Sequence, residues 1–473
     1  MKNLLKILAG VFIILAFAGC EEYLDEPKPT DQLTSNDIFA SREGVQAYVS
    51  GIYRRFRDQH PVDDPTTDVG GIYSMYFART IKGNDLIQAP SWYLFDYAHD
   101  NREPTYRRVR ETWTLLYDLV DHANTLITGV EESDLSDADK TEFIAHGKAL
   151  RAYIYLQLAL EYQTGYPDDS NAAAPPIYQE STVEAKGMST LQDMYDLILS
   201  DINEAIAGLP ESRLGKSYIN KAVANGIKAR VLMAMNQNWD QVEVAAHNAY
   251  GGDADAALVG DYTDGFDDIQ NPEWLWGLDQ QDDQSNYYYA APHAFIDHYA
   301  DGYFATFIND DFVNTFSETD VRRLFQEAYG VEPGDYRQWV TSKFVFTFSS
   351  DIPTMRTAEM ILAEVEALHR QGKEGAHDLL YKLQLARDPE AVKSDNTGDA
   401  LLEEILLERR KELYGEMGVE WFDAKRLQRG ITRTGNHRVM LELAPNDKRF
   451  FLKIPQEEVD ANPNIDDTVN SDR

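Results

Sequence analysis

Residues 220–250 read NKAVANGIKARVLMAMNQNWDQVEVAAHNAY. Val223, Ile227, Val231 and Met235 recur every four residues and line one face of a helix, and the Asn236–Asn238 turn leads into a second amphipathic stretch, Trp239 to Tyr250. A turn this short forces the two helices to run antiparallel. A second pair of the same design occupies Met355 to Arg370 and Glu374 to Arg387, joined by Gln371-Gly372-Lys373, with Ala363, Ala367, Leu379 and Leu383 at the apolar positions. An alanine-containing helix, a polar turn and a second amphipathic helix follow the logic of tetratricopeptide units. The expectation is a mainly α fold in which such pairs stack into an α-superhelical scaffold, packed with long irregular loops and a few short strands.

Working outward, Val45, Tyr48, Val49, Ile52 and Phe56 mark a helix over 42–57. Further helices are predicted over Tyr106 to Thr128, with Gly129 as a stop, and over Lys140 to Tyr162, whose stripe is Phe143, Gly147, Leu150, Ile154 and Leu158. Ser189 with Gln192 reads as a capping box opening the helix that carries Leu191, Tyr195, Ile198, Ile202 and Ala205 and ends at Pro210. The segment 253–352 differs, being rich in Tyr, Asp, Asn and Gly; only Trp274 to Leu278 reads as a short strand, with both tryptophans buried. Loops of this length are often functional. The body, 36–473, therefore divides into helical scaffold at 36–57, 105–250 and 354–430 and loop-rich ligand-binding regions at 58–102 and 253–352.

The amino terminus carries Lys2 and Lys6, then an apolar run from Ile7 to Ala18 that ends at Gly19-Cys20. The run falls short of the ~20 residues a spanning helix needs and has the shape of an export signal. Cys20 is the only cysteine, so no internal disulfide is possible. Ala18-Gly19-Cys20 resembles a bacterial lipobox, with Phe17 where an aliphatic residue is usual; this implies a signal peptide over 1–19, lipidation at Cys20 and a tether over 20–35, where Pro27 and Pro29 interrupt a polar stretch. An ordinary signal peptide with a chance cysteine is the alternative. Loss of Lys2 and Lys6 with the leader takes the net charge of −36 to −38, which disfavours nucleic acid and acidic polymers as ligands.

The carboxy-terminal third contains Glu408-Arg409-Arg410-Lys411-Glu412-Leu413, Gly415-Glu416, Glu420-Trp421-Phe422-Asp423, Arg426, Phe451-Leu452-Lys453-Ile454-Pro455 and Ala461-Asn462-Pro463-Asn464. With Tyr23-Leu24-Asp25 after the lipobox and Asn220-Lys221 before Ala224, this string resembles the SusD/RagB family over nearly the whole chain. The resemblance implies four tetratricopeptide-like helix pairs with loops over one side. It also implies an outer-membrane lipoprotein, facing the extracellular side, that serves as the surface lid of a TonB-dependent SusC-like transporter and binds glycans or, in some members, peptides. At helical spacing Glu408, Arg409, Arg410, Glu412 and Asp423 can pair with one another around Trp421 and Phe422, which assigns them to structure.

A glycan site needs exposed aromatic rings for sugar C–H faces beside groups that hydrogen-bond hydroxyls. Two segments supply that mixture. One is Lys82, Asn84 and Asp85 with Trp92, Tyr93 and Tyr97; the other is Asn286, Tyr287, Tyr288 and Tyr289 with Tyr299 and Tyr303. Trp92 is the leading candidate. His293 and His298 are five apart, off the spacing that aligns two metal ligands on a helix, and read as structural. The Asp261, Asp264, Asp267, Asp268 cluster misses EF-hand spacing and reads as a polar turn. No metal or cofactor is expected, and the chain carries no His-Glu-x-x-His, Gly-x-Ser-x-Gly, P-loop or Cys-x-x-Cys motif, so it is expected not to be an enzyme. Three readings stand in order: a nutrient-binding lipoprotein, a surface glycoside hydrolase using two of the 80 carboxylates, and a scaffold that binds only proteins.

Cys20→Ala is expected to move the protein from the membrane fraction to the soluble fraction, because several acyl chains together anchor stably and none would remain. Fractionation in cells lacking the transporter checks this, and continued membrane association there would refute the lipid anchor.

Overall fold

The computed structural model describes residues 35–57, 66, 68–281, 293–300 and 302–473. The leader, Cys20, the tether up to residue 34, and Asn286 with Tyr287, Tyr288 and Tyr289 lie outside the described residues.

The architecture is mainly α. Helix α1, Arg42–Arg55, starts where the Ser41 hydroxyl accepts from the Gly44 amide at 3.1 Å. Helix α2, Ile72–Thr80, is buried on every face. The scaffold proper follows: α3 Arg107–Glu132, α4 Asp137–Tyr162, α5 Leu191–Gly208, α6 Lys221–Met235 and α7 Trp239–Tyr250. Each packs on its successor in the series. After the loop-rich segment the series resumes with α8 Thr357–Arg370, α9 Ala376–Arg387, α10 Asp399–Leu413 and α11 Val419–Arg426. Helix α7 packs on α8 as closely as on α6, so the array continues across the interruption as though the intervening segment were absent.

Local chemistry sets the turns. The Asn220 side chain accepts from the Val223 amide at 3.1 Å to start α6. Asn236 and Asn238 take φ of 53° and 55°, the left-handed conformation that asparagine tolerates better than most residues, and so reverse the chain into α7. Two sequence expectations need correction here. The capping box before α5 sits one residue later than expected: Thr190 Oγ1 accepts from the Asp193 amide at 3.0 Å, and the Asp193 carboxylate accepts from the Thr190 amide at 3.3 Å. Gly129 does not stop α3; the helix runs through it to Glu132, and the glycine instead leaves room for the Phe39 ring, which packs where a Cβ would stand.

The segment read as irregular between residues 253 and 352 is better ordered than expected. It carries β2, Trp274–Leu278, and contributes to a four-stranded antiparallel sheet made of β1 Leu86–Gln88, β3 Thr306–Ile308, β5 Trp339–Thr341 and β4 Phe325–Glu327 in that spatial order. Strand β2 pairs with β6, Ile352–Arg356, which runs straight into α8. Trp274 and Trp276 are buried, as their alternation implied.

Helix α10 joins these parts. Its last turns send charges to every side: Glu412 to the loop segment, Arg409 to Asp423 of α11, Arg410 to Asp85 beside β1, and Lys411 to Asp320 at 2.8 Å. Glu412 is wholly buried and accepts from Arg356 at 2.8 Å, Arg387 at 3.1 Å and Arg322 at 3.2 Å. Arg356 also binds Glu416 at 2.9 Å, and Arg387 reaches Glu273 at 2.5 Å. Burial opposes the charge on Glu412, but the three guanidiniums outweigh it and hold the carboxyl well below the usual range. Helix α11 repeats the device, with Arg426 forked onto Glu366 at 2.7 and 2.8 Å.

Glu412→Gln is expected to lower the unfolding free energy by about 3–5 kcal/mol, because three buried guanidiniums lose their common counter-charge; equilibrium urea denaturation measures it. Acid should act on the same set. Burial raises the Glu366 carboxyl and the Arg426 pair lowers it further, from the ordinary 4.5 to about 2. Its folded value thus lies below its unfolded one, and its contribution is present above pH 4.5 and lost as pH falls toward 2. Urea midpoints recorded across that interval are expected to fall steadily, and less steeply in Glu366→Gln.

Candidate functional site

The β1–β3 pairing builds the surface that carries exposed aromatic side chains. Gln88 lies opposite Thr306, and the ladder extends to Ala89, whose amide donates to the Ala305 carbonyl at 2.7 Å. The buried Gln88 amide group donates to the Trp92 carbonyl at 2.9 Å and accepts from Thr306 Oγ1 at 2.7 Å, fixing the turn that ends at Trp92. Tyr93 then adopts φ 66°, a costly conformation for a bulky aromatic residue. Its surroundings compensate: the ring packs edge-on against Phe77 and Phe295 at 4.9 and 5.0 Å, and its hydroxyl bonds Ser74 Oγ at 2.5 Å. With Tyr93 driven inward, Trp92 is 39% exposed and Phe95 61% exposed.

The turn before β3 supplies the rest of the rim. His298 Nε2 donates to the Thr306 carbonyl at 2.8 Å. Tyr299 is 60% exposed and donates its hydroxyl to Gln326 on β4 at 2.7 Å, reaching the far edge strand of the sheet. Tyr303 is half-buried and stacks on Phe295 at 4.6 Å. Phe304, again at positive φ (47°), is exposed beside Ala305. Trp92, Phe95, Tyr299 and Phe304 thus border one sheet, with the Gln326 and Glu327 side chains exposed on its outer strand.

The remaining sequence candidates are placed elsewhere. Tyr93 and Tyr97 belong to the core. Tyr97 lies under the Arg433 guanidinium, 3.8 Å from its ring centre, and bonds His437 at 2.8 Å. Lys82 is buried over the Trp421 ring, and Asp85 is buried against Arg410. Asn84 holds the turn at Thr434, accepting from its amide at 2.9 Å. These five side chains are spent on the fold, because the loop bearing them is packed under the carboxy-terminal segment instead of lying on the surface. Arg433, which sequence reading passed over, organises that packing. Its guanidinium donates to the carbonyls of Gly83, Ile81, Val439 and Tyr97 at 2.7–3.3 Å. No local signal marks it, since all four acceptors are backbone. Phe95 and Phe304 were also passed over, because an apolar ring in a sequence reads as core.

His293, fully buried, bonds the Phe266 carbonyl at 2.8 Å, and burial lowers it to about 4, keeping it neutral. Asp261, Asp264 and Asp268 accept from amides two residues on, at 2.8–3.2 Å, and so form turns. Among the described residues no group of three His, Cys, Asp or Glu side chains could hold a metal ion. No helix among them is long and apolar enough to cross a membrane.

Residues 22–233 match a family described as starch-binding and associating with the outer membrane, and residues 342–470 match the SusD family. No curated protein sequence matches the chain. Among solved structures, a SusD-like carbohydrate-binding protein from Bacteroides vulgatus is 24% identical and superposes over 90% of this chain and 97% of its own, with a TM-score of 0.81. A SusD superfamily protein from Bacteroides thetaiotaomicron is 21% identical, with 90% and 99% coverage and a TM-score of 0.77. Surface glycan-binding protein A from Bacteroides thetaiotaomicron, solved in complex with laminarihexaose, is 18% identical, with 89% and 98% coverage and a TM-score of 0.70. These likenesses establish a common fold.

The inward and outward aromatics should separate in stability. Trp92→Ala is expected to change the unfolding free energy by no more than about 0.5 kcal/mol, whereas Tyr93→Ala should cost about 3–5 kcal/mol. Urea denaturation of the two variants side by side tests the assignment.

Proposed function

Because the chain belongs to the SusD/RagB family, we propose that it captures an oligosaccharide at the cell surface and delivers it, unaltered, to a TonB-dependent SusC-like transporter. The observation that carries this reading is the rim of Trp92, Phe95, Tyr299 and Phe304 held open on one sheet border, with Phe304 and the core residue Tyr93 that follows Trp92 both in the left-handed region. Flat rings presented to solvent suit the C–H faces of pyranose units, and the nearby amide and carboxylate groups suit their hydroxyls. The solved relative that holds laminarihexaose supports the same ligand class.

Binding here is stacking plus hydrogen bonding on an acidic protein. The net charge of −36 favours neutral glycans over uronates or sulfated chains. The lipid on Cys20 holds the protein to the outer membrane, facing outward, so that its rim meets polymer fragments before the transporter does.

An affinity-gel and calorimetric screen of residues 21–473 against plant, microbial and host glycans and peptide mixtures tests the reading. A neutral glycan is expected to bind, with affinity falling about 3–10-fold in Trp92→Ala and in Tyr299→Ala. The recovered oligosaccharide should be of unchanged length. Binding of peptides alone would move the function to peptide uptake, and shortened glycan would establish a hydrolase.

A further inference from the structure

A cavity of about 60 Å³ lies where α2, α4, α6, α8, α10 and α11 converge, with no residue of the aromatic rim in its lining. Its mouth is formed by the half-buried side chains of Met417, Val419 and Phe422, and much of its wall is apolar. Of the polar side chains in that wall, two carry atoms without a partner. Tyr76 is 5% exposed and Arg409 3% exposed; the Tyr76 hydroxyl and one terminal N–H nitrogen of Arg409 (Nη1) have no hydrogen-bond partner among the described residues. The other two Arg409 nitrogens are turned to Asp423 at 3.2 and 3.5 Å.

Buried donors without acceptors are costly, and protein interiors seldom leave them so. A guanidinium nitrogen can only donate, and it does so from a permanently charged group. The occupant that suits both groups is therefore an acceptor, and a charged one is favoured. The two glutamates on the wall do not oppose it, because their oxygens are committed elsewhere. Glu359 takes Arg230 at 2.6 and 2.7 Å, and Glu416 takes Arg356 at 2.9 Å and Lys343 at 2.8 Å. Arg79, the third cation on the wall, is paired with Glu161 and bonds Gln157 at 2.8 Å. A halide or a small carboxylate such as formate or acetate has this chemistry.

We propose that this cavity is a binding site for a small monovalent anion, which accepts from the free Arg409 N–H and the Tyr76 O–H and links α10 to α2. Such a site would tie the occupancy of the junction to the anion content of the medium.

The test uses the purified protein with bromide as probe. The thermal midpoint is measured over increasing sodium bromide with sodium gluconate holding ionic strength constant, and crystals grown in bromide are examined for anomalous scattering. A saturable rise of about 1–2 °C is expected, at least halved in Tyr76→Phe, with a bromide peak between Arg409 Nη1 and Tyr76 Oη. Equal midpoints in bromide and gluconate, an undiminished rise in Tyr76→Phe, or a cavity holding water alone would each overturn the proposal. The anomalous map of the wild type decides the matter even if the variant folds poorly.

Discussion

The Glu412 carboxylate, closed off from water and shared by Arg322, Arg356 and Arg387, is the interaction on which the remaining structure depends. Each of its partners comes from a different place: Arg322 from the loop before β4, Arg356 from the end of β6, and Arg387 from the end of α9. A carboxylate cannot be buried alone, and three guanidiniums cannot be buried without counter-charge. The four side chains therefore enter the interior together or not at all. That condition ties the interrupted helical array to the sheet-bearing segment inserted into it, and gives the insertion one orientation on the scaffold.

Charge is distributed accordingly. The chain holds 80 acidic and 44 basic residues, yet Arg322, Arg356, Arg387, Arg426 and Arg433 are among its largest fully buried side chains. Four of these arginines take buried carboxylates with them, so the interior is close to neutral and the acidic excess stays at the surface. Arginine suits the interior role: it stays charged when desolvated, and its planar fork binds a carboxylate or several carbonyls at once. Arg433 uses the second mode to hold the loop that ends in Trp92.

The aromatic rim is built by strain and pairing together. Tyr93 and Phe304 sit at positive φ on neighbouring segments, and both conformations are sustained by the sheet and the packing beneath. Backbone strain of this kind persists only where the surroundings over-determine it. Here its effect is to turn Trp92 outward from a sequence whose next residue is core.

Much of the scaffold was determined by the sequence alone. Helices α1, α4, α6, α7, α8 and α9 follow from apolar residues at spacings of three and four, and the Asn236–Asn238 turn follows from side chains that tolerate the left-handed region. These are local properties, set by neighbours within two turns. The charges of α10 were also legible as structural, because their helical spacing offered them partners. What only the tertiary structure decided is the packing of α7 on α8 across residues 251–356, the sheet within what read as irregular loop, and the choice of exposed aromatics. Gln88 and Thr306 are 218 residues apart, and their pairing determines whether Trp92 or Tyr93 meets the solvent. Adjacent aromatic residues are equivalent in a one-dimensional reading; they become core and surface only when a distant strand fixes the turn between them.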